Sequence, residues 1–202
     1  MSRKVEPSYK FFRAAYRVVR VAVGLLYRFE ARGKENIPEG AAMVCSNHSS
    51  SLDPILLAFA LGIDCFTHFI AKIELYRIPV MAFVMRKLGT ISVNRGMMDV
   101  ATIKQTLEYF KNNEKVAIFP EGTRTSETEY VAAKNGAVKI AERAKVPLVP
   151  VYIPRKKTLF SKVVLVIGEP YYIEEKSGKR SADEYSQLAG MLMNKIEELK
   201  PL

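Results

Sequence analysis

The residues best suited to chemistry lie in one stretch, Cys45-Ser46-Asn47-His48-Ser49-Ser50-Ser51-Leu52-Asp53-Pro54. The chain holds only two histidines, and His48 stands among hydroxyls with a carboxylate, Asp53, five residues on. An imidazole oriented by a carboxylate is a general base. The apolar run 41–45 leads into the stretch and the run 55–61 leads out, which predicts a strand, a polar turn and a helix. His48 then sits at the strand exit and Asp53 at the helix entrance. Two plainer readings compete. Asp53 is also a suitable helix cap ahead of Pro54, with Ser50 or Ser51 as rival caps, and His48 a suitable hydrogen-bonded turn residue. A serine nucleophile is a rival mechanism. Neither the Gly-x-Ser-x-Gly elbow nor the Ser-x-x-Lys signature surrounds Ser49, Ser50 or Ser51, so the attacking hydroxyl is expected to be the substrate's.

A second constellation is Phe119-Pro120-Glu121-Gly122-Thr123-Arg124-Thr125. Gly122 permits a tight turn with exposed N–H groups, Thr123 adds a hydroxyl donor, and Arg124 offers a planar fork that grips a phosphate through two bonds. Glu121 is odd beside a phosphate, and is expected to orient Arg124 or to accept from a glycerol hydroxyl. A solvated turn would look the same. Arg95, after the short run 90–93 and before Gly96, is a candidate second cationic clamp, and Lys134 a further phosphate contact. His68, inside an apolar run, is expected to be structural. With two histidines and no clustered thiols, no metal site is expected.

Stepping along the chain, strands are predicted at 27–33, 41–46, 66–71, 90–93, 115–119, 146–153 and 162–167. Helices are predicted at 7–28, 55–61, 78–85, 100–111, 135–145 and 182–200. That alternation argues for an α/β fold, a mostly parallel sheet flanked by helices. Ligands bind such sheets at the carboxyl ends of strands. His48, Arg95 and the segment 121–124 all follow strands directly, so the three constellations are expected to meet at one edge. The apolar helix at 78–85 is expected to be either fully buried or a membrane contact.

The 202 residues suit one domain, and carry a net charge of +10 with a hydrophobic fraction of 49%. A chain both basic and apolar fits an anionic membrane surface better than a nucleic acid, for which it lacks basic motifs interleaved with aromatics. Cys45 and Cys65 are expected to be reduced thiols. The N-terminus lacks the features of a secretory signal peptide. A membrane span needs ~20 mostly apolar residues, whereas the uncharged run between Arg20 and Arg28 is seven residues long. Residues 1–28 are therefore expected to form an amphipathic membrane-anchoring helix, with a broad apolar face for the acyl chains and a basic stripe of Lys10, Arg13, Arg17 and Arg20 that meets lipid phosphates; an ordinary helix docked on its own domain is the alternative. Residues 29–202 would form the catalytic α/β domain.

Over roughly residues 27 to 170 the chain resembles the 1-acylglycerol-3-phosphate acyltransferase family, compact bacterial type, of the glycerolipid acyltransferases. Its His-x4-Asp motif matches His48 to Asp53, and its second motif matches Gly89 to Arg95. Its third matches Phe119 to Arg124, and its fourth, a proline-bearing apolar strand, matches Val146 to Val151. Lys72-Ile73-Glu74-Leu75 and Pro79 also look like the family. The resemblance implies transfer of an acyl chain from acyl-CoA or acyl-carrier protein to the 2-hydroxyl of lysophosphatidic acid, giving phosphatidic acid, with no cofactor. His48 would be the base and Asp53 its partner, while Arg95, Glu121, Gly122, Thr123 and Arg124 would bind the glycerol phosphate. The work would take place at the cytoplasmic face of the membrane. Glycerol 3-phosphate or a lysophospholipid as acceptor, or a non-catalytic peripheral lipid-binding protein, are the alternatives. Asn94 and Thr125 depart from the family's commoner residues, and neither is expected to touch the chemistry.

Overall fold

The structure is a computed structural model that describes residues 7–94, 99–126 and 131–201. Its central strand is β2 (Ala42–Ser46), buried along its whole length. Successive side chains of a strand point to opposite faces. Along β2, Ala42 and Val44 join one apolar cluster, while Met43 and Cys45 join another. A strand apolar on both faces needs helices on both sides. On one side α1 (Tyr9–Leu26) and α2 (Asp53–Leu61) bring Val23, Leu56, Leu57 and Phe59. On the other, α4 (Val100–Lys111), α5 (Gly136–Ala144) and α6 (Ala182–Glu198) bring Phe110, Val138, Ile140, Leu192 and Ile196. Burying a side chain of this size contributes about 1.5–3 kcal/mol.

The remaining strands are β1 (Arg28–Arg32), β3 (Thr67–Lys72), β4 (Ile91–Val93), β5 (Lys115–Ile118), β6 (Leu148–Tyr152) and β7 (Lys162–Ile167). They form one seven-stranded sheet in the order β1-β7-β6-β2-β5-β3-β4. Every neighbouring pair is parallel except β6 with β7. The mostly parallel sheet read from the alternation of elements is therefore present. Its consequence for function is that β6, β2 and β5 lie side by side and end at the same edge.

The predicted elements recur with small shifts at their ends. Helix α1 begins at Tyr9 because the Ser8 hydroxyl accepts from the Phe11 N–H and caps it. Two short 3₁₀ turns, Lys34–Asn36 and Ile73–Arg77, were not expected. The largest difference concerns α3 (Pro79–Lys87), which buries only Ala82 and leaves Val80 75% exposed, so full burial is excluded. Helix α1 differs too. It packs on the domain through Phe12, Tyr16, Val19 and Val23, with the Tyr16 ring 5.0 Å from Phe59. Arg13 turns to Asp64 at 3.6 Å, and Arg20 lies over the rings of Phe29 and Phe59. Two members of the basic stripe thus engage the chain's own body. The side of α1 facing away carries Val18, Val21 and Leu25, all exposed.

Candidate active site

The turn after β2 holds His48 against Asp53. The His48 Nδ1 lies 2.9 Å from Asp53 Oδ2. The same oxygen accepts from the N–H groups of Ser49 at 2.6 Å and Ser50 at 2.7 Å. Asp53 is the first residue of α2, and it is fully buried. It does not cap the helix as the plainer reading expected: Leu52 stands at the N-cap with no side-chain bond, and the Asp53 carboxylate is given instead to the turn before the helix and to the imidazole. Because Asp53 accepts, Nδ1 carries the proton and Nε2 is left to receive one. The ring of Phe119 stacks on the imidazole with centroids 4.2 Å apart and fixes its plane. Asn47 pins the turn to the residue just after β6 by donating to the Ile153 carbonyl at 2.7 Å and accepting its N–H at 2.8 Å.

The loop after β5 lies against this turn. The Thr125 N–H donates to the His48 carbonyl at 2.8 Å, and Arg124 Nη1 donates to Ser51 Oγ at 2.8 Å. The guanidinium of Arg124 thus reaches the turn that joins His48 to Asp53, and it remains exposed. Gly122 has φ +66, and a Cβ there would meet Lys134 Cε at 2.8 Å, so the Lys134 stem passes directly over this turn. Thr123 is exposed beside it.

Two expectations change here. Glu121 is 2% exposed and does not orient Arg124. Its Oε1 accepts from Arg155 Nη2 at 2.8 Å and its Oε2 from the Thr125 hydroxyl, so it is spent inside the protein. Thr125, expected to stand apart, ties the main chain of His48 to the buried Glu121. Arg95 lies outside the described residues.

The loop after β6 adds two cations that the sequence did not single out. Arg155 joins Glu121, Thr125 and Glu197. Lys157 reaches in from the same loop, its side chain 4% exposed, with Nζ 2.8 Å from Asp53 Oδ1 and 2.9 Å from Ser49 Oγ. A serine beside a lysine invites the Ser–Lys reading. Here the lysine is the counter-ion of a buried carboxylate and donates, while Ser49 Oγ donates to the Arg155 carbonyl, so among the described residues Ser49 has no base.

The pattern of the acyltransferase family matches residues 28–154, which include His48, Asp53 and the segment 121–124 in the order found at this edge of the sheet. The chain belongs to the acyltransferase family. It is 32% identical over 198 residues to the 1-acyl-sn-glycerol-3-phosphate acyltransferase of Bacillus subtilis (strain 168), covering 95% of this chain and 96% of that one. The protein of the same name from Saccharomyces cerevisiae is 32% identical over 154 residues, covering 74% of this chain and 50% of the yeast one. Among solved structures, the 1-acyl-sn-glycerophosphate (LPA) acyltransferase PlsC of Thermotoga maritima superposes with a TM-score of 0.69 at 28% identity. That match covers 96% of this chain and 80% of the other.

The electrostatics of this acyltransferase centre on Asp53. Burial acts to raise its pKa, but His48, Lys157 and the Ser50 N–H together hold it below its ordinary value of 3.8, so it is ionised at neutral pH. The other histidine has no part in this. His68 is buried and stacks on Tyr109 with centroids 3.7 Å apart, its Nδ1 3.2 Å from the Gly89 carbonyl. Its role is structural, as expected. Gly89 has φ +62, and a Cβ there would fall 2.5 Å from the His68 ring. The glycine of the second motif is thus required by the imidazole behind it.

Proposed function

We propose that the chain transfers an acyl group from an acyl thioester to the 2-hydroxyl of lysophosphatidic acid, giving phosphatidic acid. The observation that carries this reading is the contact of His48 with Asp53 directly beside the exposed guanidinium of Arg124. A base and an anion clamp on adjoining turns suit an acceptor whose hydroxyl is a few bonds from a phosphate. The names of the relatives support the same acceptor. In this mechanism His48 Nε2 takes the hydroxyl proton as the oxygen attacks the thioester carbon. A tetrahedral oxyanion forms, then the C–S bond breaks and the imidazolium returns the proton to the thiolate. Asp53 holds the ring and stabilises its charged form. Arg124, with Gly122, Thr123 and Arg95, binds the glycerol phosphate, and Glu121 acts behind them through Arg155 and Thr125. The donor is acyl-CoA or acyl-carrier protein, and no cofactor is needed.

Incubation with acyl thioesters and a panel of acceptors, following thiol release, tests the reading. Lysophosphatidic acid should be the preferred acceptor. Equal rates with glycerol 3-phosphate or a headgroup-bearing lysophospholipid would overturn the acceptor, and no thiol release would overturn the activity. Arg124→Ala should raise KM for lysophosphatidic acid about 10- to 100-fold with kcat little changed, as loss of a charge-assisted bond implies. An unaltered KM would remove Arg124 from the clamp.

The substrate and product are lipids, so the enzyme should work as a peripheral protein at the cytoplasmic membrane face. Among the described residues no helix is long and apolar enough to cross a membrane. The free side of α1 offers Val18, Val21 and Leu25, and Phe11 at its other end meets Phe83 of the exposed α3. Arg77 lies just before that helix, and Arg86 and Lys87 lie in its last turn. Apolar residues ringed by cations suit an anionic bilayer surface. Val21→Glu with Leu25→Glu should abolish flotation with anionic phospholipid vesicles without lowering the melting temperature. Unchanged flotation would exclude this side of α1.

A further inference from the structure

We propose that Lys157 is a positioning residue of this site: its buried ammonium fixes Asp53 Oδ1 and thereby holds His48 in the orientation and tautomer that acyl transfer needs. The inference rests on the acyl-transfer reading above. The two oxygens of Asp53 are loaded differently. Oδ2 carries His48 Nδ1 and the N–H groups of Ser49 and Ser50, whereas Oδ1 faces Lys157 Nζ at 2.8 Å. Lys157 also holds Ser49 Oγ at 2.9 Å. One ammonium thus grips both the carboxylate and the residue that follows the imidazole. A lysine carries a strongly hydrated charge on a flexible stem, and burying it is costly unless a counter-ion and further acceptors await it. Both are present here. The family match ends at residue 154, just short of this loop.

Among the described residues, His48 from the end of β2 and Lys157 from the end of β6 are the charged or titratable groups that meet Asp53. Arg124 reaches Ser51 on the same turn, and Glu121 is held by Arg155. Without Lys157, Asp53 keeps a buried charge that only the imidazole can balance. Either Asp53 takes a proton on Oδ1 and loosens its hold, or His48 keeps a proton and ceases to be a base. Both outcomes move the acid limb of the rate profile to higher pH and lower kcat, while the phosphate clamp is untouched.

The test compares Lys157→Met and Lys157→Gln with the unaltered full-length chain. Melting curves establish which variant is folded, and the glutamine keeps a neutral donor should the methionine variant fail to fold. In a folded variant kcat should fall about 10- to 100-fold, the scale of a misplacement of about 1 Å. KM for lysophosphatidic acid should hold, and the acid limb of kcat/KM should move to higher pH. An unchanged kcat and acid limb, or a loss confined to KM, would overturn the proposal. The imidazole nitrogen spectrum gives a readout independent of any substrate. With two histidines in the chain, one of them His68, the His48 signals are resolvable. They should show a fixed Nδ1–H tautomer in the native chain and averaging or protonation in the variant. An identical spectrum would also overturn it. If the native chain fails to acylate lysophosphatidic acid, the acceptor reading falls, and the nitrogen spectrum still decides the role of Lys157.

Discussion

Replacing His48 by alanine should lower kcat by about 10²- to 10⁴-fold, the range for loss of a general base. The effect should be confined to chemistry. The His48 side chain is 18% exposed, and its partners survive its removal. Asp53 keeps Lys157 and the N–H groups of Ser49 and Ser50, so no buried charge is orphaned. The carbonyl that accepts from Thr125 belongs to the main chain and stays. Thermal unfolding and vesicle binding should therefore match the unaltered chain while thiol release collapses. Turnover at the native rate would remove His48 from the mechanism and leave the site without a base.

The parts of the site that were legible in the sequence are those governed by local pattern. Apolar runs placed His48 and the segment 121–124 just after strands, and the alternation of elements made those strands parallel, so their ends had to share an edge. The unread parts depend on which strands are neighbours. Lys157 lies 108 positions from Ser49, in a basic run that reads as solvated surface on a chain of net charge +10. Only the pairing of β6 with β2 brings it to Asp53. Glu121 did give a signal. A buried acid must be neutralised, and a cation from elsewhere in the chain was the physical requirement, which Arg155 of the loop after β6 fulfils. Helix α1 was read with one broad apolar face. Its apolar residues in fact divide between a side that packs on α2 and a side left free, a division that periodicity cannot make because both sides share it.

Asp53→Asn tests the dyad and its counter-ion together, and should be severe on two counts. The side chain keeps its shape, and the N–H groups of Ser49 and Ser50 select the carboxamide oxygen for the Oδ2 position. The amide NH₂ then falls at Oδ1, opposite the Lys157 ammonium at 2.8 Å, so two donors face each other. Lys157, 4% exposed, is left as a buried cation without a counter-ion, which typically costs about 3–5 kcal/mol. Turnover should also fall, by about 10²-fold or more, because a neutral amide does not stabilise the imidazolium; the same change in the unrelated Ser-His-Asp triad costs about 10⁴-fold. The pH dependence separates the two causes. The pKa of Asp53 is depressed in the folded chain, so its stabilisation is fully present above 3.8 and is lost as pH falls through the lower folded value. The gap between native and variant chains in urea unfolding should be widest near neutral pH and should narrow in acid below that value. Adding Lys157→Met removes the stranded ammonium and should recover much of the stability while leaving turnover low. An Asp53→Asn chain as stable as the native one at neutral pH would mean that the buried ion pair does not form, and the account of how His48 is held would fall with it.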